Sequence, residues 1–204
     1  MIALKRWQLV TAGVFVVLLL GWAYDEFVKD RIFPKRFEVV VEDALFRSGR
    51  IHPDLMPSVL KEYGIDSIVT MTHPVADHPF QIAEKRIAGD LDIPIYRFPL
   101  DGNGTGDPQS YIGALERVHE EISNGRQVLV HCAAGTERTG GVVWFYQTLM
   151  EGRSYEEARE HLLAVGHKPD RNPDLIPFLD EILPAVTTAL TDAGVIERGA
   201  SPDA

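Results

Sequence analysis

The pattern of apolar and polar residues predicts short strands and helices that alternate after an apolar amino-terminal stretch. Runs of apolar and β-branched residues predict strands, and apolar residues at helical spacing predict helices. The predicted strands are 37–41, 45–48, 65–71, 93–100 and 128–131. The predicted helices are 54–63, 80–88, 108–124, 139–150, 155–165 and 175–190. Alternation of this kind predicts an α/β fold, a central mainly parallel sheet flanked by helices.

The composition predicts one globular domain with short appendages. The chain has 204 residues, of which 45% are apolar and 25% charged, as in ordinary globular proteins. We predict a short tail at 1–6, a membrane anchor at 7–24, a connector at 25–36, the folded domain at 37–190 and a tail at 191–204. The net charge of −10 argues against a nucleic-acid partner, because such proteins usually present a basic face. An anionic substrate is not excluded, since it needs only local positive potential.

The stretch 7–24 contains no charged residue and predicts a single-pass transmembrane helix near the amino terminus. Its length of about 18 residues is at the lower limit for crossing a bilayer. Trp7 lies at one end and Trp22 and Tyr24 at the other, as expected of aromatic anchors at the two interfaces. Basic residues on both sides leave the side of the membrane open. Two alternatives are a cleaved signal peptide and a buried helix.

The segment 131–140 joins a predicted buried strand to a predicted helix and contains the single cysteine, Cys132. A lone cysteine cannot form an internal disulfide or a multi-cysteine zinc site. Arg138 follows in a Cys-x5-Arg spacing, and the residues between are small or tolerant of loop conformations. They are Ala133, Ala134, Gly135, Thr136 and Glu137.

A loop of this kind favours nucleophilic attack on a phosphate ester. Its backbone N–H groups can form an anion-binding nest, and the following helix directs the positive end of its dipole to the same place. Arg138 can bind two phosphate oxygens at once. The same positive field lowers the pKa of a thiol, so we expect Cys132 to be a reactive thiolate. This chemistry needs no metal and no other cofactor.

The loop resembles the signature of the protein tyrosine phosphatase superfamily, which reads His-Cys-x-x-Gly-x-x-Arg-Ser/Thr-Gly. The chain matches every fixed position with His131-Cys132-Ala133-Ala134-Gly135-Thr136-Glu137-Arg138-Thr139-Gly140. The position of the cysteine in the second half of the domain resembles that in the dual-specificity branch. The sequences of residues 46–49 and 60–65 are also similar to the opening segment of the family. The resemblance covers about residues 37–190 and implies the cysteine-phosphatase fold.

The resemblance implies a role for each matching residue. Cys132 attacks phosphorus and forms a phosphocysteine, while Arg138 binds phosphate and stabilises the transition state. The loop residues 133–138 bind the substrate phosphate. Thr139 hydrogen-bonds the sulfur and helps it leave, and His131 supports the loop without reacting.

The general acid is expected upstream of the cysteine. One carboxylate can protonate the leaving oxygen and later activate water. The family places this aspartate after a strand in a movable loop, and Asp101 occupies that place. Asp107 is the competing candidate, but Pro108 directly after it favours a role as helix cap.

The substrate predicted from these residues is a phosphate monoester, foremost protein phosphotyrosine, with dual specificity as a variant. The alternatives are a membrane lipid-phosphate phosphatase and a non-catalytic membrane protein that binds phosphorylated partners. Phosphoinositide-specific relatives usually have lysines in the loop, whereas this loop has none, and Glu137 would repel a polyanionic headgroup. His73, His78 and Asp77 lack the spacing of a metal site, so no metal is predicted.

Overall fold

The computed structural model of the chain describes residues 6–197, so residues 1–5 of the predicted amino-terminal tail and residues 198–204 of the predicted carboxyl-terminal tail lie outside them. The strands are β1 Glu38–Val41, β2 Leu45–Ser48, β3 Ile65–Thr70, β4 Ile95–Arg97 and β5 Gln127–His131. The helices are α1 Arg6–Phe27, α2 Lys29–Ile32, α3 Met56–Glu62, α4 Pro79–Asp90, α5 Pro108–Ser123, α6 Glu137–Leu149, α7 Tyr155–Ala164 and α8 Leu175–Asp192.

The five strands form one sheet in the order β1-β2-β5-β3-β4. β1 is antiparallel to β2, and all other neighbours are parallel. The prediction of a mainly parallel sheet flanked by helices is therefore confirmed. The carboxyl ends of β2, β3, β4 and β5 meet at one edge, which is where parallel α/β sheets place their binding sites.

Both faces of β5 are buried, which anchors the strand that leads to Cys132. Val128 and Val130 pack into the core formed with α5, α6, α7 and α8, whereas Leu129 packs on the opposite face with α3 and α4. The alternation follows from the two-residue repeat of a strand. Burial of each such side chain contributes about 2 kcal/mol relative to exposure. The end of β5 is thus a rigid base for the loop that follows.

Local sequence signals explain where α7 begins and why β4 is short. Ser154 and Glu157 form a reciprocal capping box at the start of α7, as their spacing indicates. The predicted strand 93–100 shrinks to the three residues of β4, because Pro94 and Pro99 flank it and have no N–H for a neighbouring strand.

The prediction of a transmembrane helix at 7–24 is wrong. The stretch lies within α1, but in the part of the chain from residue 6 to residue 197 no helix combines the length and the apolar character needed to cross a membrane. An uncharged stretch at the lower length limit can cross a bilayer only if nearly all of its residues are apolar, and Gln8 and Thr11 reduce its apolar character. The single-pass membrane location predicted from this stretch is therefore also wrong.

Candidate active site

The loop between β5 and α6 places the sulfur of Cys132 at the carboxyl edge of the sheet. The Cys132 side chain is only 1% exposed, and the N–H of Gly135 donates to its Sγ at 3.2 Å. Gly135 has a φ of +80°, and a Cβ at this position would collide with the backbone of Gly49, so only glycine fits. The loop therefore turns at least one backbone N–H inward, as an anion-binding nest requires.

The pKa of the Cys132 thiol is lowered from its ordinary value. Burial raises this pKa, but hydrogen bonds from the hydroxyl and N–H of Thr139, the charge of Arg138 and the N–H of Gly135 together outweigh it. Each of these interactions is stronger with the thiolate than with the thiol. The site therefore favours the nucleophilic form of the cysteine.

Arg138 and Thr139 lie in the first turn of α6. Nη1 of Arg138 donates to the carbonyl of Met71 at 3.5 Å, while its Nε is buried without a hydrogen-bond partner among the described residues. Thr139 is fully buried, and its Oγ1 lies 3.4 Å from the carbonyl oxygen of Ser48. Most of the Arg138 guanidinium is thus left for an anion.

The carboxylate of Asp101 is exposed at the same edge of the sheet. The N–H of Leu100, directly before it, donates at 3.1 Å to the same Met71 carbonyl that Arg138 approaches. Oδ1 of Asp101 lies 3.7 Å from Nε2 of His73, a residue in the loop after β3. A carboxylate at this edge of the sheet that is open to solvent can exchange protons with water and with a substrate that reaches it.

Asp107 is the N-cap of α5. Its Oδ1 accepts a hydrogen bond from the N–H of Gln109 at 2.9 Å, and Pro108 occupies the first turn. The carboxylate is therefore engaged in the capping role that its position before a proline indicates.

A buried ion pair lies behind the loop. Nε2 of His131 is 3.0 Å from Oε1 of Glu84 on α4, and Arg97 approaches the same carboxylate at 3.8 Å. Burial lowers the pKa of His131, but the charge and hydrogen bond of Glu84 and the interactions with Cys132 together outweigh it, so this pKa is raised. Burial raises the pKa of Glu84, but the charge and hydrogen bond of His131 and the charges of two arginines together outweigh it, so this pKa is lowered. Nδ1 of His131 lies 3.2 Å from the Cys132 carbonyl oxygen. The pair thus fixes the residue that precedes the nucleophile.

The carboxylate of Glu137 is bound to the loop between α7 and α8. Its Oε2 lies 2.6 Å from Nδ1 of His167 and accepts a hydrogen bond from Nδ2 of Asn172 at 3.0 Å. The same Nδ2 donates to the carbonyl of Asn103, in the loop that contains Asp101, at 2.6 Å. This carboxylate is therefore held within the scaffold, and its expected repulsion of a polyanionic headgroup stays a prediction.

The fold resembles solved phosphatase structures, and a curated viral protein is related in sequence. The core catalytic domain of the PP-IP phosphatase SIW14 from S. cerevisiae matches with a TM-score of 0.62 and 16% identity over 80% of this chain and 96% of that one. TpbA of P. aeruginosa matches with a TM-score of 0.62 and 16% identity over 77% and 91%. The tyrosine phosphatase-like protein 123R of Invertebrate iridescent virus 6 is 30% identical over 94 residues. This chain has the fold of the protein tyrosine phosphatase superfamily.

The resemblance indicated by the signature loop is thereby confirmed at the level of the fold. The match to 123R covers 46% of this chain and 56% of the viral protein, so it spans only about half of the relative. No family model matches the chain.

Sequence reasoning missed three residues whose side chains contact the segment 131–140: Arg47, Glu84 and His167. Arg47 contacts a residue 88 positions away, and His167 contacts one 30 positions away, so no local spacing pattern reveals them. The one available signal is Arg47 itself, because a charged residue inside a strand of buried residues is rare unless it is paired.

Proposed function

We propose that this protein is a phosphatase that hydrolyses phosphate monoesters through a phosphocysteine intermediate. The observation that carries the proposal is the environment of the Cys132 sulfur: it is buried, it accepts the N–H of Gly135, and its pKa is lowered by Thr139 and Arg138 despite burial. A thiolate held inside an anion-binding loop next to an arginine is arranged for attack on phosphorus.

The proposed reaction has two steps. In the first, Sγ of Cys132 attacks phosphorus in line, the P–S bond forms, and the P–O bond to the leaving group breaks as Asp101 donates a proton to the departing oxygen. In the second, Asp101 accepts a proton from water, the water oxygen attacks phosphorus, and the P–S bond breaks to release phosphate and the thiolate. Arg138 and the loop N–H groups bind the phosphate oxygens throughout. Thr139 donates a hydrogen bond to the departing thiolate.

The role of Asp101 is tested by comparing Asp101→Asn with the matched variant Asp107→Asn. Loss of the acid is expected to lower kcat/KM for phenyl phosphate by about 10²-fold, and less for p-nitrophenyl phosphate, whose leaving group needs less protonation. Asp107→Asn is expected to retain most activity, because asparagine also caps helices. Steady-state kinetics with both substrates measure the difference. A larger loss in Asp107→Asn, with unchanged circular dichroism, would reverse the assignment.

Protein phosphotyrosine is the substrate we infer. The Cys132 side chain is 1% exposed, so a phosphate must reach deep into the surface, which a long and rigid aryl phosphate does more easily than a short alkyl phosphate. Two relatives support the same substrate, since TpbA has been crystallised in complex with pTyr and 123R is named for tyrosine phosphatase activity. SIW14 is named as a PP-IP phosphatase, so polyphosphorylated small molecules belong in the test.

The substrate is tested by offering the full chain a panel that contains a phosphotyrosine peptide, its phosphoserine counterpart, a lipid phosphate monoester in micelles and an inositol pyrophosphate. We expect the highest kcat/KM for the phosphotyrosine peptide, by at least about tenfold, which corresponds to roughly 1.4 kcal/mol of transition-state binding. Excess chelator should leave the rate unchanged. Faster turnover of the lipid or the inositol pyrophosphate contradicts the substrate assignment, and a well-folded chain without turnover of any member contradicts the phosphatase proposal.

A further inference from the structure

Three consecutive carbonyls of the signature loop are bound from outside by one segment of the chain, residues 36–50. The carbonyls are those of Ala133, Ala134 and Gly135. The first accepts a hydrogen bond from the backbone N–H of Arg50 at 3.1 Å. The second accepts from Nη1 of Arg36 at 2.8 Å, and the third from Nη2 of Arg47. The outer side of the loop is therefore held by three arginine residues, two of them through their side chains.

Binding of these carbonyls determines where the loop N–H groups point. In a planar trans peptide the C=O and the N–H of the next residue point in opposite directions. The second carbonyl illustrates this, because it faces Arg36 while the N–H of the same peptide, from Gly135, donates to Cys132 Sγ. The Gly135 carbonyl points outward to Arg47. By the same geometry, the N–H of Thr136 in that peptide points away from Arg47 and toward the inside of the loop.

Arg47 is the unusual member of this group because its side chain is completely buried. It lies in β2 with 0% exposure, and its Nε and Nη1 have no hydrogen-bond partner among the described residues. Burial lowers the pKa of Arg47 to about 10, while the charges of Glu38 and Cys132 act in the opposite direction, so the guanidinium stays charged at neutral pH. A buried charge is costly unless it is compensated, so its position calls for a role.

The ion pair with Glu38 does not supply that role. Nε of Arg47 is 3.8 Å from Oε2 of Glu38, a carboxylate that is 40% exposed and that also lies 3.0 Å from Nε2 of His161. A partly solvated and shared carboxylate compensates only part of the cost of a buried guanidinium. Two further interactions can account for the buried position of Arg47. They are its contact with the loop carbonyl of Gly135 and its proximity to the Cys132 thiolate.

We propose that Arg47 is a positioning residue that holds the signature loop in its anion-binding form from behind. Its Nη2 fixes the Gly135 carbonyl outward, and its charge lies behind the thiolate of Cys132. Arg36 performs the equivalent task for the neighbouring carbonyl from the exposed side, where water can replace it, so it contributes less. This inference rests on the proposed function, since it concerns how the same loop binds phosphate.

The test compares Arg47→Met and Arg47→Lys with the wild type, and uses Arg117→Met as the matched control. Arg117 stacks on Tyr96 and pairs with acidic residues of its own helix, away from the loop. The first readout is the dissociation constant for tungstate, a phosphate-like oxyanion. The second is the pH dependence of Cys132 alkylation by iodoacetamide, a neutral reagent that reports the thiolate without using the phosphate site.

We expect Arg47→Met to weaken tungstate binding by about tenfold, equal to roughly 1.4 kcal/mol, and to move alkylation to higher pH. Arg47→Lys should restore the pH profile of alkylation, because lysine keeps the positive charge. It should restore only part of the tungstate affinity, because a single ammonium does not reproduce the planar fork of the guanidinium. Arg117→Met should match the wild type in both. A merely structural role of Arg47 would lower the melting temperature and change neither readout.

Each outcome bears on one of the two proposals. Unchanged tungstate affinity and alkylation in folded Arg47→Met would overturn the inference while leaving the phosphatase proposal standing. If Arg47→Met does not fold, Arg47→Lys decides, and wild-type tungstate affinity in that variant overturns the inference. A wild type that does not hydrolyse the phosphotyrosine peptide removes the proposed function itself, whatever the Arg47 variants do.

Discussion

Replacement of Cys132 by serine is expected to lower the hydrolysis of p-nitrophenyl phosphate by about 10⁴–10⁶-fold, because removal of a covalent nucleophile costs losses of this size in comparable enzymes. The serine hydroxyl is far less acidic than a thiol and remains protonated, so the hydrogen bonds from Thr139 and Gly135, which lower the pKa of Cys132, no longer generate a nucleophile. The loop N–H groups and Arg138 stay in place, so binding of inorganic phosphate should change far less than turnover. Steady-state kinetics and phosphate titration measure the two effects.

The intermediate offers an independent check on the same variant. Rapid quenching with a ³²P-labelled substrate should leave acid-stable label on the wild-type chain and none on Cys132→Ser, because this is the only cysteine in the sequence. Turnover by Cys132→Ser within about tenfold of the wild type would show that another group attacks phosphorus. Equal loss of phosphate affinity and turnover would show that the substitution disrupts the loop instead of the nucleophile.

The parts of this protein that the sequence predicts are those whose information is local. The strand that ends at His131 and the helix predicted from residue 139, which begins at Glu137 in the structure, follow from neighbouring apolar residues. The Cys-x5-Arg spacing covers only the loop between them and the first turn of the helix. The capping role of Asp107 is also local, since Pro108 follows it directly. Such signals involve contacts over a few residues and depend little on the rest of the fold.

The support behind the loop could not be predicted because it depends on the order of the strands. Arg47 reaches Gly135 only because β2 lies next to β5, and Glu84 meets His131 because α4 packs beside the end of that strand. In the sequence, Glu84 has the spacing of an ordinary polar helix residue. The neighbours that bury it are far away along the chain, and local periodicity does not identify them.

The error at 7–24 has a related physical cause. A membrane-spanning helix has few or no charges, but it also needs sufficient length and continuous apolar character, and the run meets the length only at its limit. Aromatic residues at the two ends of the run are typical of membrane interfaces, but they add neither length nor apolar character.

Substitution of Arg138 by lysine is expected to lower kcat/KM for the phosphotyrosine peptide by about 10³–10⁴-fold, because two charge-assisted donors to the transferring phosphoryl group are replaced by one point charge. Within residues 6–197 the guanidinium of Arg138 makes one long hydrogen bond, at 3.5 Å to the Met71 carbonyl, so most of its donors remain for substrate. Lysine keeps the positive charge but not the planar fork. Kinetics of Arg138→Lys and Arg138→Met beside the wild type measure how much the fork contributes.

The comparison of the two Arg138 variants separates charge from geometry. The Arg138 charge lowers the pKa of Cys132, so Arg138→Lys should keep the alkylation profile close to that of the wild type, whereas Arg138→Met should move it to higher pH. If both variants lose turnover about equally while only Arg138→Met changes alkylation, the loss arises from phosphoryl binding in the transition state. If Arg138→Lys retains turnover within about tenfold of the wild type, charge alone suffices and the two-point binding proposed for Arg138 is wrong.

Because negative charge on the transferring group is redistributed as the P–O bond breaks, loss of the planar fork of Arg138 should reduce kcat more than it reduces phosphate affinity.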